Sequence, residues 1–169
     1  ANAWYALIVM QDRQFGTALS AIARAEKLLP QAPEIKANKA LILFHSGHAE
    51  EALAILLPLA ETQPNMLSPH AYLATILLDT GRYQDFIREY RLAAEIEENG
   101  ARLAIADTGE RGLKAGGGQG MLEAMYAEQL SQFARGKEPA FKLALTATML
   151  GQRERALEYL EQSVRRGEA

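Results

Sequence analysis

Two Asp-Thr-Gly triplets, at positions 79–81 and 107–109, are the first residues in the chain that could do chemistry. Two aspartates that share a proton are the catalytic pair of aspartic proteases, in which each triplet lies on a loop between strands. Here the first triplet ends an apolar helical stretch and the second lies within one. We therefore interpret both triplets as parts of helices and predict no protease activity.

Two histidines and a glycine-rich stretch could also form sites. His45 and His48 could ligate a metal ion, but Gly47 interrupts the helix between them and no carboxylate completes the set at a suitable spacing. The stretch Gly116–Gly120 resembles a phosphate-binding loop in composition, yet it lacks the Lys-Ser/Thr that such a loop requires and no strand precedes it. We interpret it as a break between helices. The sequence thus predicts no catalytic residue, no metal site and no cofactor.

The composition is that of a folded protein without a strong charge preference. Of the 169 residues, 49% are hydrophobic and 23% are charged, and the formal net charge is −3 at pH 7. Binding to phosphates requires a basic face, so we expect no nucleic-acid partner for this segment. No apolar run reaches the roughly 18 residues of a membrane span. We therefore expect no membrane insertion, and a soluble protein of the cytoplasm or the periplasm. The absence of cysteine excludes disulfides and thiolate zinc sites.

The helical segments that carry these residues repeat every 34 residues. The step from Pro30 to Pro64 equals this period, and so does the step from Gly47 to Gly81. Between these markers, apolar residues recur at the spacing of amphipathic helices. A period of this length indicates helical repeat units, which bury their apolar faces by stacking on one another. The fold class predicted is all-α, an α-solenoid of about five antiparallel helical hairpins.

We interpret the chain as a single domain of five repeats, in which the fourth departs from the period. The step from Gly81 to Gly151 is 70, which exceeds two full periods by two. Pro58, inside the second helix of the second repeat, is expected to kink or shorten that helix. The chain opens in what reads as the middle of a helix and without Met, so we expect a segment of a longer protein. The predicted repeats are residues 1–32, 33–66, 67–100, 101–136 and 137–169.

The pattern resembles that of the tetratricopeptide repeat (TPR) family. That family has a small residue in the first helix of each unit, an aromatic residue at the start of the second, and a proline at the end. The matching small residues are Ala6, Ala40, Ala74 and Ala144. The second helices open with Phe15, Ala49, Tyr83 and Arg153, so two of four match. The resemblance implies a right-handed superhelical solenoid and a protein–protein interaction scaffold, without enzymatic activity.

A narrower resemblance concerns the tail. Segments 133–145 and 150–162 are similar to the repeat region of certain bacterial signalling proteins, in which a CadC-like winged-helix domain, a kinase or a cyclase precedes the repeats. This resemblance implies a sensor or regulatory module that acts through effector binding or self-association. It is the alternative to the scaffold hypothesis.

The first helices of stacked hairpins line a concave groove, and this register assigns the residues that face it. The groove is predicted to be apolar, which suits an amphipathic helix or an extended peptide of a partner protein. Phe141, Leu145 and Thr148 would continue it in the last repeat. The predicted peptide-binding residues are Leu7, Met10, Asn38, Leu41, Phe44, His45, Thr75, Leu78 and Asp79.

Two further expectations concern partners. Receptors of the family that bind acidic chaperone tails use Lys, Asn and Arg in the groove, and only Asn38 matches that set. The other positions hold Ala3, Ser68 and Tyr72, which argues against this class of ligand. A solenoid without polar end caps exposes apolar side chains. We therefore expect self-association through the N-terminal end, where Trp4 and Tyr5 lie.

Overall fold

The computed structural model describes residues 2–168, and over these residues the protein is all-α. The prediction of an all-α, helical-repeat fold is confirmed, while the hand of the superhelix stays a prediction. No helix within the described part of the chain is long and apolar enough to cross a membrane. The helices are α1 (Asn2–Gln11), α2 (Phe15–Leu28), α3 (Pro33–His45), α4 (Ala49–Thr62), α5 (Leu67–Asp79), α6 (Tyr83–Ile96), α7 (Gly100–Ala134), α8 (Ala140–Met149) and α9 (Arg153–Arg166).

The helix bounds follow the step found in the sequence. Helices α2, α4 and α6 each have 14 residues, and their first residues, Phe15, Ala49 and Tyr83, are one period apart. Helices α3 and α5 each have 13 residues and are offset by the same period. Helix α9 also has 14 residues, and it begins at Arg153, which corresponds to Ala49 of α4 at an offset of 104. We call residues at these offsets register equivalents.

A residue in the left-handed region makes the sharp turn inside each regular hairpin. Gly47, Gly81 and Gly151 have φ angles of 90°, 72° and 71°, a region that only glycine adopts freely. After α3, the Gly47 N–H donates to the Phe44 carbonyl at 2.9 Å, which closes the helix end. The register equivalent in the first hairpin is Arg13, with a φ of 59°.

Pro58 does not end helix α4. The helix continues through Pro58 to Thr62, so of the two expected effects the shortening does not occur, and the kink stays a prediction. A proline in a helix leaves the carbonyl four residues earlier without its amide partner. That residue is Ala54, which is exposed together with Pro58, so water can bind the freed carbonyl.

The helices form two compact units, Ala1–Ile96 and Glu97–Ala169. In the first unit, the hairpins α1–α2, α3–α4 and α5–α6 are joined by packing of α2 on α3 and of α4 on α5. Ile22 of α2 shares one apolar cluster with Ile35 and Ile42 of α3. In the second unit, α8 packs on both α7 and α9. The single domain over residues 1–169 stays a prediction.

Helix α7 consists of two helical segments that are separated by a break at Gly116 and Gly117. The two segments approach each other closely at Gly112 and Gly120. Gly116 (φ −145°, ψ 22°) and Gly117 (φ 61°, ψ −151°) leave the helical region, which confirms the predicted break. A Cβ atom added to Gly112 would lie 2.3 Å from the Gly120 carbonyl oxygen. The two segments therefore approach so closely that position 112 has no room for a side chain.

Candidate functional site

The predicted peptide-binding residues lie on three first helices that touch in turn, α1 with α3 and α3 with α5. Register places them in rows of equivalent positions, such as Leu7, Leu41 and Thr75. We call the surface formed by these rows the first-helix face. It belongs to the first unit and consists of Leu7, Met10, Asn38, Leu41, Phe44, His45, Thr75, Leu78 and Asp79.

The first-helix face is of mixed polarity. Leu7 and Met10 pack partly against the apolar cluster of the first two hairpins. Leu41, Phe44 and Leu78 are half-buried. The exposed members are His45, Thr75 and Asp79. The leucine, methionine and phenylalanine side chains divide their surface between the face and the neighbouring helices, and that this face binds a peptide stays a prediction.

A hydrogen bond joins two rows of this face at equivalent positions. The Tyr72 hydroxyl donates to Asn38 Oδ1 at 3.2 Å, linking α3 and α5. Burial raises the pKa of Tyr72, so the hydroxyl keeps its proton and remains a donor at neutral pH. This bond orients the Asn38 amide through its oxygen and leaves the Nδ2 donors available to a ligand. The signal for the pair was in the sequence, since the two residues are one period apart.

The residues considered for chemistry take structural positions. The triplet at 79–81 ends α5 and turns at Gly81, and the triplet at 107–109 lies inside α7, as predicted. His48 Nδ1 lies 3.1 Å from Ser46 Oγ, and the His45 ring packs 5.1 Å from that of Phe44. Among residues 2–168, no group of three or more His, Asp or Glu side chains could hold a metal ion.

A buried contact between a histidine and a glutamate in the third hairpin was missed by sequence reasoning. His70 Nδ1 lies 2.7 Å from Glu89 Oε2, and His70 Nε2 lies 3.1 Å from the Pro64 carbonyl oxygen. Both side chains are buried, and the Arg88 Nε–H donates to the other oxygen of Glu89 at 3.1 Å. The pair ties α5, α6 and the preceding loop together. No local pattern marks such a contact, because its two residues lie on different helices.

The second unit buries a carboxyl group just before α8. Gln129 Nε2 donates to Glu138 Oε1 at 3.4 Å, and both residues are buried. Burial raises the pKa of Glu138, and the charges of Lys142 and Arg102 oppose that rise. Its register equivalent in the first unit, Glu34, is exposed at the start of α3.

The large apolar side chains that are most exposed lie mainly outside the first-helix face. Leu28, Leu29 and Leu57 of the first two hairpins are exposed individually, and the others form two groups. One group is on the first helix, where Trp4, Tyr5 and Ile8 are exposed. The other group is on the last hairpin and includes two of the residues predicted to continue the groove. Its members are Phe141, Leu145, Met149, Leu157, Leu160 and Val164.

Comparisons of the sequence and of the structure with known proteins identify which solved structures share this arrangement of helices. No family model matches the sequence, and the search of curated proteins gives no match. The chain is similar to TTC0263, a thermophilic TPR protein in Thermus thermophilus, with a TM-score of 0.71 and 18% identity, covering 97% of this chain and 89% of that one.

Two other solved structures are similar at lower scores. One is a chain of the structure of Naa15/Naa10 bound to HypK-THB, with a TM-score of 0.61 and 19% identity over 97% of this chain and 24% of that one. The other is MamA MSR-1 C2, with a TM-score of 0.55 and 14% identity over 99% of this chain and 92% of that one. Identities this low establish the fold alone. Together with the regular helix register, they show that the chain has the tetratricopeptide-repeat fold.

Proposed function

We propose that the protein is a protein–protein interaction scaffold whose first-helix face binds an extended peptide or a helix of a partner protein. Three first helices in contact form a surface of parallel rows, and such a surface offers contacts at regular intervals along a bound segment. The alternation of half-buried apolar and exposed polar residues suits a ligand with both kinds of side chain.

The observation that carries the proposal is the bond between Tyr72 and Asn38. It holds an amide in one orientation on the first-helix face before any ligand arrives, so binding does not bear the entropic cost of that ordering. The Nδ2 donors of Asn38 can then bind a backbone carbonyl of a peptide. Leu41 and Phe44, further along α3, supply apolar contact beside it.

The proposal is tested by selecting peptides from a random display library on the whole chain. The double substitution Leu41→Asp with Phe44→Asp should weaken the selected peptides by at least about tenfold, or 1.4 kcal/mol. The matched control is Ala54→Asp with Leu57→Asp, two exposed positions on α4 that lie outside the face. This control should leave the affinity unchanged. Isothermal titration calorimetry measures both.

Circular dichroism decides whether the first double variant still folds. If its helicity is lost, Leu41 and Phe44 belong to the core and the face is misplaced. Asn38→Ala then provides a milder test, since it removes the amide donors without adding charge. Equal peptide affinities for the wild type, Asn38→Ala and the α4 control would contradict the proposal.

The alternative hypothesis, a regulatory module of a bacterial signalling protein, rests on the resemblance of segments 133–145 and 150–162. A module of that kind would act through effector binding or through self-association. The exposed apolar side chains of the first and last hairpins favour the second route.

A further inference from the structure

The first helix exposes a face that its register equivalent buries. On α1, Ile8 is 58% exposed, whereas its equivalent on α3, Ile42, is fully buried. Tyr5 is 47% exposed, and its equivalent two repeats later, Leu73 of α5, is also fully buried. Helix α3 uses this face to pack on α2, since Ile42 shares an apolar cluster with Ile22. Helix α1 therefore presents the face with which a first helix packs on the hairpin before it.

The last helix exposes the opposite face. Leu160 and Val164 of α9 are 39% and 70% exposed. Their equivalents on α4, Leu56 and Ala60, are 0% and 9% exposed because α5 packs on α4. Helix α9 therefore presents the face with which a second helix receives the hairpin that follows.

The two open faces carry residues of compatible polarity at one pair of register positions, where the second hairpin packs on the first through an ion pair. Between α2 and α3, Lys39 Nζ and Glu26 Oε2 form an ion pair at 2.8 Å. The register equivalent of Lys39 is Tyr5, and that of Glu26 is Val164. Both members of the ion pair are thus replaced by apolar residues, one on each open face. The Lys39 and Glu26 side chains are 32% and 31% exposed, so a charge on only one of the two faces would lose part of its hydration without gaining a partner.

The chemistry of α1 agrees with burial in such a contact. Between Asn2 and Gln11 the helix contains no Asp, Glu, Lys or Arg, so covering it removes no charge from water. On the other side, Phe141, Leu145 and Met149 of α8 extend the apolar surface beside α9. Within the chain, helix α5 contacts both helices of the hairpin before it, α3 and α4, as α1 would contact α8 and α9.

We propose that copies of this chain stack head to tail, with α1 of one copy packed on α8 and α9 of the next, as α5 packs on α3 and α4. The contact joins two different surfaces, so it is heterologous and generates a ring or an open chain of copies. Its central residues are Tyr5 and Ile8 of α1 and Leu160 and Val164 of α9, none of which belongs to the first-helix face.

Sedimentation velocity over a hundredfold range of concentration provides the first test. The average mass of the wild-type chain should rise with concentration. Tyr5→Lys and Val164→Glu should each weaken association by at least tenfold, since each places one unpaired charge in the contact. Leu57→Glu is the matched control, because it adds a charge at an exposed apolar position of α4 whose equivalent in α9 is Glu161. It should associate like the wild type.

Charge rescue provides the decisive test. The double variant Tyr5→Lys with Val164→Glu recreates the Lys39–Glu26 pair across the contact, so it should associate more strongly than either single variant. An equimolar mixture of the two single variants should also regain the higher mass, because each then meets a compatible neighbour. Both residues are exposed in the single chain, and circular dichroism should show wild-type helicity for all the variants.

Three results would overturn the proposal. The first is a wild-type chain that sediments as a monomer at every concentration, which would mean that a second copy does not cover the open faces. The second is a control variant that dissociates as readily as Val164→Glu, which would indicate unspecific association. The third is a double variant that associates no better than the single variants, which would show that positions 5 and 164 do not meet.

Discussion

Helices α4 and α9 carry leucine at two shared register positions, 53 and 56 in α4 and 157 and 160 in α9, yet only the leucines of α4 are buried. Leu56 of α4 is fully buried and Leu160 of α9 is substantially exposed. The two helices have the same length, so the difference comes from what packs on them. Helix α5 covers α4, and no described helix of the second unit covers this face of α9. The comparison shows that an amphipathic pattern specifies which face can be buried, while the neighbouring helix decides whether it is.

Carboxyl groups show the same contrast in reverse. Glu34 of the first unit is exposed, whereas its register equivalent Glu138 is buried beside Gln129. Equal residues at equal positions therefore meet different surroundings in the two units. Substitutions made in such pairs separate the effect of the residue from the effect of its neighbours.

The largest expected effect comes from truncating the two leucines. Leu56→Ala should lower the free energy of unfolding by about 3 kcal/mol, because it leaves a cavity beneath α5. Leu160→Ala, measured at a concentration where the chain is monomeric, should cost less than about 1 kcal/mol, since much of that side chain already faces water. Urea unfolding followed by circular dichroism measures both. Equal losses would show that α9 is covered within the single chain.

A second pair of substitutions compares the glycines of the two units. Gly112→Ala should destabilise the protein by about 2 kcal/mol, because its Cβ would meet the Gly120 backbone and force the two segments of α7 apart. Gly16→Ala in α2 is the matched control, since no atom lies within 4 Å of the added Cβ. It should stabilise the protein by roughly 0.5–1 kcal/mol through helix propensity. Thermal unfolding that shows a gain for both variants would argue against the close contact in α7.

The smallest effect concerns the buried carboxyl group. Burial raises the pKa of Glu138 above 4.5, so the folded state holds that proton more tightly than the unfolded state. The resulting stabilisation is present below pH 4.5 and is lost as the pH rises through the folded-state pKa. Glu138→Gln keeps an acceptor for Gln129 and removes the charge. It should therefore raise the free energy of unfolding at pH 7 by less than about 1 kcal/mol.

The exposed equivalent in the first unit, Glu34, provides a control for this pH effect. The gain from Glu138→Gln should vanish well below pH 4.5, where the wild-type carboxyl group is protonated in both states. Glu34→Gln, at the exposed equivalent, should change the free energy of unfolding by no more than about 0.5 kcal/mol at either pH. A loss of stability in Glu138→Gln at pH 7 would mean that the attraction of Lys142 and Arg102 outweighs the cost of burial.

The sequence predicts the helices, the glycine turns and the break in α7 well, because each depends on local signals. Periodicity marks the helices, and glycine marks Gly47, Gly81 and the break at Gly116. At Pro58 the pattern left two outcomes open, a kink or a shortened helix, because the cost of a proline depends on whether water reaches the carbonyl that it frees. That is a property of the surface and not of the local pattern.

Contacts between distant residues were beyond local reasoning. The His70–Glu89 pair and the Gly112–Gly120 contact join residues on different helical segments, and single residues carry no sign of such pairing. The Asn38–Tyr72 bond is an intermediate case, because the repeat register places the two residues at equivalent positions on neighbouring first helices and could have predicted their contact. Sequence alone also does not say how much of Leu7 or Leu41 a neighbouring helix covers.

Thiol labelling of two single-cysteine variants tests the central claim most directly. The natural chain has no cysteine, so Leu56→Cys and Leu160→Cys each introduce one reactive group at equivalent positions. The stacking of copies predicts that the thiol at position 160 reacts fast at low protein concentration and becomes protected as the concentration rises, while the thiol at position 56 is protected throughout. A thiol at position 160 that reacts equally fast at every concentration would contradict the stacking, and one that is protected even in the most dilute sample would contradict the open face itself.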